Sequence, residues 1–85
     1  PGEKVLIEAT NIPDAMLGAL MDEAVEAGAI PIVDKKTEYL RRKLLDIGND
    51  EQAEERLRLT ADFEAYRMAK MDAYIGLRGS HNITE

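Results

Sequence analysis

The chain has 85 residues, a net charge of −6, 45% hydrophobic and 33% charged residues, and no cysteine. That length makes one small domain, near the lower limit for a core built without disulfides or metal. The acidic balance argues against a general nucleic-acid partner, no stretch nears the roughly 20 apolar residues of a membrane span, and disulfides and thiolate sites are excluded.

Lys4 to Ala9 is short, apolar and β-branched at its centre, and is expected to form a buried strand. Asn11 follows as the expected cap of a helix, with Pro13 near the first helical position, where its missing N–H costs nothing. Met16, Leu17, Leu20, Met21, Ala24 and Val25 recur at three- and four-residue spacing as one apolar helix face, and Gly28 stands where a terminating glycine belongs. Ala29 to Lys35 is the second expected strand, and Pro31 assigns it to a sheet edge or to the strand's start. Thr37 to Ile47 is a second helix with Leu40, Leu44 and Ile47 on one side, ended by Gly48. Asn49 or Asp50 then caps a long third helix reaching about Met71, supported by a favourable Glu54–Arg58 pair. Ala73 to Gly79 alternates and is the third strand.

The order is β-α-β-α-α-β. Strands separated by helices run parallel, and the crossovers are right-handed. Pro31 makes the second strand an edge, and Val5-Leu6-Ile7 is the most continuously apolar strand centre. The expected fold is therefore α/β, a three-stranded parallel sheet of order 2-1-3 with helices on both faces, a fragment of Rossmann or flavodoxin-like form. The start at Pro1-Gly2-Glu3 and the end at Glu85, just after a strand, suggest a segment cut from a longer chain.

The first βα turn, Ala9 to Pro13, is where such folds hold a phosphate, yet it contains no glycine to bring backbone N–H groups close to an anion. Thr10 and Asn11 are read as turn and cap; the alternative is a free-standing flavodoxin-like module that takes a small anion at Thr10, Asn11 and Ser80. His81 is the only histidine and lies beyond the third strand, at the sheet edge where ligands bind, beside Arg78, Ser80 and Asn82. Ser80 and His81 are adjacent, so they do not face each other as nucleophile and base, and Glu85 alone does not complete a metal set. The plain reading of His81 is a loop residue, and the alternative is a substrate-facing role. Lys35, Lys36, Arg41, Arg42 and Lys43 gather five of the eleven basic residues into nine positions, a solvated helix face by the simplest account and otherwise a receiver of carboxylates. Asn82-Ile83-Thr84 matches a glycosylation triplet, without a secretion signal to give it weight.

On the third helix, Ala53, Leu57, Ala61, Met68 and Met71 form one stripe suited to the sheet. Leu59, Phe63 and Tyr66 form a second on a different side. It either packs on the second helix or meets another domain or subunit, so these three are candidate interface residues. The acidic residues from Asp50 to Glu55 suit a helix N-terminus.

Gly2 to Glu8, Ile12-Pro13-Asp14, and Ala27 to Pro31 resemble the start of the thermophilic metallo-aminopeptidases, the leucyl aminopeptidases of the T and S type. The run from Glu64 to Ser80 and Asn82 to Glu85 extend the resemblance over nearly the whole chain. It implies a non-catalytic amino-terminal α/β domain of a much longer cytoplasmic enzyme that hydrolyses amino-terminal residues from peptides. It further implies divalent metals of zinc or cobalt type, held by a carboxyl-terminal domain, and a homodimer with its active sites inside a cavity. No catalytic or metal residue carries over to a position here. Shaping access and building the oligomer are the roles the resemblance leaves to this segment.

Overall fold

The computed structural model describes residues 1–79 of the chain. Six elements follow one another: β1 (Lys4–Thr10), α1 (Asp14–Glu26), β2 (Ile30–Lys36), α2 (Glu38–Asp46), α3 (Asp50–Ala69) and β3 (Ala73–Arg78). The sheet has the order β2-β1-β3, and both pairings are parallel, with Ile7 opposite Val33 on one side and Ile75 on the other. Architecture and strand order are those expected, and element ends agree to within about two residues.

β1 takes the centre because its side chains are wanted on both faces. Ile7 and Ala9 are fully buried and cluster with Ile12 and Leu17, with Val5, Leu20, Val33 and Leu77 packed around them. This is the face covered by α1. Leu6 is also fully buried, on the opposite face, which it shares with Glu8. Burying a residue such as Leu6 or Ile7 contributes about 1.5–3 kcal/mol each.

The Ile30 N–H donates to the Glu3 carbonyl at 2.7 Å. In a parallel pair the next residue's backbone points the other way, so Pro31 lies on the outer edge of β2, where its missing donor breaks no ladder bond. The α1 terminus is a Schellman turn. Gly28 has φ +89, its N–H donates to the Val25 carbonyl at 2.9 Å, and the Ala29 N–H donates to the Ala24 carbonyl at 2.9 Å. α2 is capped by Thr37, whose Oγ1 accepts the Leu40 N–H. α3 begins with a capping box, since Asn49 Oδ1 accepts the Gln52 N–H and the Gln52 side chain accepts the Asn49 N–H.

α3 departs from expectation in the face it turns to the sheet. Leu57 is 66% exposed, Ala61 and Met68 are exposed, and only Ala53 and Met71 of the first apolar stripe are half-buried. The face laid on the protein instead carries Arg56, Glu64 and Arg67. The reason is a set of ion pairs to the sheet, described below. The expected Glu54–Arg58 pair is also replaced, because Arg58 binds Glu55 at 3.1 Å. Few residues are left fully buried. The radius of gyration is 15.1 Å, against about 12 Å for a compact domain of this length.

Candidate functional site

The carboxyl ends of β1 and β3 meet the first turn of α2 around Asn11. This residue has φ 59, a left-handed conformation that asparagine tolerates because its short amide bonds to nearby backbone. Its Nδ2 donates to the Gly79 carbonyl at 3.3 Å, and its Oδ1 accepts the Glu38 N–H at 3.0 Å. Asn11 thus satisfies an otherwise unpaired donor at the start of α2 while holding the end of β3. It does not cap α1, whose N-cap position is taken by Pro13 without a side-chain hydrogen bond. Glycine at position 79 makes the approach possible: a Cβ there would lie 2.5 Å from the Asn11 carbonyl oxygen.

Glu38, at the first position of α2, is 8% exposed and is the one buried charged residue among those described. A carboxylate is favoured there by the helix dipole. Arg78 Nη1 donates to its Oε1 at 3.2 Å, Arg41 Nε lies 3.6 Å from the same oxygen, and Arg42 Nε lies 3.5 Å from Oε2. Burial pushes the Glu38 carboxyl up, but the guanidinium groups of Arg41, Arg78 and Arg42 outweigh it and hold it below the ordinary glutamate range. Among the described residues, three guanidinium groups around one carboxylate leave two positive charges uncompensated at this corner.

A depression of about 240 Å³ opens beside the cluster, lined by Glu8, Thr10, Lys36, Arg41, Tyr74, Gly76, Leu77 and Arg78. Its floor is set by Gly76, because a Cβ there would meet Tyr74 Oη at 3.0 Å and the ring at 3.3 Å. The bare glycine lets the Tyr74 ring lie along the strand, and its hydroxyl donates to Glu8 Oε1 at 2.8 Å.

Glu8 joins this depression to the underside of α3. Its Oε2 accepts from Lys36 Nζ at 3.2 Å and from Arg67 Nη2 at 2.9 Å, while Arg67 Nη1 donates to Asp34 at 2.7 Å and Nη2 to Glu64 at 2.6 Å. Burial raises the Glu8 pKa, yet hydrogen bonds from Tyr74 and Lys36 and the charges of Lys36 and Arg67 leave it below the ordinary range. The hydrogen bond to Glu8 in turn raises the Tyr74 phenol, helped by burial and by the carboxylate charge. The hydrogen bond to Asp34 and the charges of Glu64 and Asp34 prevail over burial and raise the Arg67 pKa.

Of the residues expected at this edge, Thr10 and Arg78 line the depression and Asn11 frames it. Ser80, His81 and Asn82 lie outside the described residues, as do the Asn82-Ile83-Thr84 triplet and Glu85. Lys36 and Arg41, read from sequence as part of a solvated face, belong to the depression. Lys35 pairs with Asp14. Glu8, Glu38 and Tyr74 were missed, although a glutamate inside an apolar central strand was a signal. Leu59, Phe63 and Tyr66 are 47%, 69% and 69% exposed, and Tyr66 receives the Lys70 ammonium 5.2 Å above its ring.

Among the described residues, no group of three or more His, Cys, Asp or Glu is placed to hold a metal ion, so the divalent metals implied by the resemblance find no ligand set here. No described helix is long and apolar enough to cross a membrane. Comparison of the chain with protein-family models, with curated proteins and with solved structures gives no match.

Proposed function

We propose that this chain is the non-catalytic amino-terminal α/β domain of a metal-dependent aminopeptidase, a cytoplasmic homodimer acting on peptides. In this reading α2 and α3 dock on the carboxyl-terminal catalytic domain or on the second subunit, and so help to shape access to the active site. The zinc- or cobalt-type metals and the water they activate belong to that other domain.

The observation that carries the docking role is the mismatch between apolar content and core. The buried hydrophobic residues among those described are Leu6, Ile7, Ala9, Ile12 and Leu17, while Tyr39, Leu45, Leu57, Phe63 and Tyr66 are each at least 66% exposed. Apolar side chains exposed in such number on two adjoining helices mark an interaction surface. The aminopeptidase assignment itself rests on the wording of Gly2 to Glu8, Ala27 to Pro31 and Glu64 to Ser80, together with an α/β fold of the expected kind.

The test is made on the longer polypeptide that carries this segment. It should release p-nitroaniline from leucine p-nitroanilide, lose that activity to a chelator, and regain it with zinc or cobalt. Metal-independent hydrolysis, or none with either metal, would refute the assignment.

A further inference from the structure

We propose that the depression between the carboxyl ends of β1 and β3 is a binding site for a small oxyanion, a carboxylate or a phosphate. Arg41 and Arg78 supply the charge, and the Thr10 hydroxyl completes the shell. The site is independent of the aminopeptidase reading and holds or fails whatever reaction the parent protein performs.

Its position is the first support. From β1 the chain passes to β2 on one side, then returns across to β3 on the other. The carboxyl ends of β1 and β3 therefore flank the point where the winding reverses, the place at which open α/β sheets take their ligands. A depression is found there, walled by Thr10 of β1 and by Leu77 and Arg78 of β3.

Charge is the second. Glu38 is the only acidic partner of Arg41, Arg42 and Arg78 among the described residues, and it neutralises one of the three. Arg78 engages it through Nη1, and the side chains of Arg41 and Arg78 are 51% and 63% exposed. Guanidinium groups remain charged at any working pH and present forked donors that match two oxygens of a carboxylate or phosphate. Glu8, which also lines the depression, does not repel an incoming anion with its full charge, because Lys36, Arg67 and the Tyr74 hydroxyl already bind it.

Rigidity is the third. Asn11 ties the α2 N-terminus to the end of β3, so Arg41 and Arg78 start from backbones fixed relative to each other. A left-handed asparagine with both ends of its amide committed over 27 and 68 residues of sequence is a frame for the site. The volume, about 240 Å³, falls below the roughly 300–1,000 Å³ of pockets for drug-sized ligands. It suits a small anion or the anionic end of a longer molecule.

The experiment is an amide NMR titration of the chain with sodium phosphate, sodium acetate or sodium chloride at one ionic strength. Saturable shifts at Thr10, Gly76 and Leu77 are expected with phosphate or acetate. The stronger of the two assigns the ligand to phosphate esters or to carboxylates. Arg41→Gln, a change on an exposed helix position, should weaken that binding about tenfold, and Arg58→Gln on α3 should leave it unchanged. Equal, non-saturating shifts in all three salts would overturn the site, as would undiminished binding in Arg41→Gln or the same loss in Arg58→Gln.

Discussion

Arg67 of α3 binds Glu8 of the central strand at 2.9 Å across 59 residues of sequence. With Asp34 at 2.7 Å on the neighbouring strand, it forms the main specific attachment of α3 to the sheet. The Arg67 side chain is 29% exposed and those of Glu8 and Asp34 are 17% and 27% exposed, so the pairs are partly shielded from water. Removing one partner of such a group leaves carboxylates without their cation. Arg67→Met should lower the unfolding free energy by about 1–3 kcal/mol, measured by urea titration. Hydrogen exchange should show faster opening along α3 than in α1, and equal rates in both helices would contradict this account of the attachment.

Acid sensitivity follows from the same cluster and from Glu38. Both Glu8 and Glu38 are held below the ordinary glutamate range in the folded protein. As pH falls, the unfolded chain binds their protons first, so the contribution of these groups is complete above about pH 5 and is lost on acidification through their folded pKa values. The charged groups facing them are Lys36, Arg67, Arg41, Arg42 and Arg78, with Asp34 beside Lys36. Urea midpoints measured from pH 7 to pH 3 should fall, and Glu8→Gln should flatten that fall. A parallel curve for the variant would remove Glu8 from the explanation.

Tyr74 gives the opposite sign. Its folded pKa is raised, so its stabilising effect is intact below the ordinary tyrosine value of about 10 and is lost as pH rises through the folded value. Spectrophotometric titration near 295 nm should show a tyrosine component ionising above the ordinary value, and Tyr74→Phe should remove that component.

Gly79→Ala places a Cβ 2.5 Å from the Asn11 carbonyl oxygen, a backbone atom that cannot swing aside. A cost of about 1–3 kcal/mol is expected, read by thermal or urea unfolding. Gly48→Ala offends differently, through its φ of +80, and should act on the α2–α3 connection without disturbing Thr10 or Arg78 amide shifts.

Phe63 and Tyr66 are each 69% exposed. Changing both to serine should alter the stability of the chain by no more than about 0.5 kcal/mol per site, while weakening assembly of the parent enzyme by sedimentation analysis. Unfolding of the chain in the double variant would place these residues in the core and end the docking proposal.

Much of the fold was legible because it rests on local signals. The apolar centre of β1, Pro31, Gly28 and Asn49 each act within a few residues, and together they set the strand order and the helix ends. Asn11 misled because the partners that take its side-chain amide are distant in sequence. An asparagine before a helix caps it unless a more distant donor, here Glu38 N–H 27 residues on, takes the oxygen. The face of α3 misled for a related reason. Periodicity ranks faces by apolar content, and Leu57 and Met68 outscore Glu64 and Arg67 on that scale. The pairing of Arg67 with Glu8 and Asp34 joins three segments whose proximity exists only once the sheet has formed. Lys36, Arg41 and Arg78 likewise become one corner only through the crossover.

The placement of Pro31 makes the sheet directional in how it can grow. On the outer edge of β2 the row of backbone donors is broken by a residue without one, a defence against stray strand pairing. On β3, the Gly79 N–H turns inward to the Thr10 carbonyl at 2.8 Å, which by strand alternation leaves the amides of Tyr74, Gly76 and Arg78 facing away from β1. Among the described residues β3 pairs with β1 alone. An extended peptide or a further strand that lengthens this sheet is therefore templated at β3, beside Arg78, and not at β2.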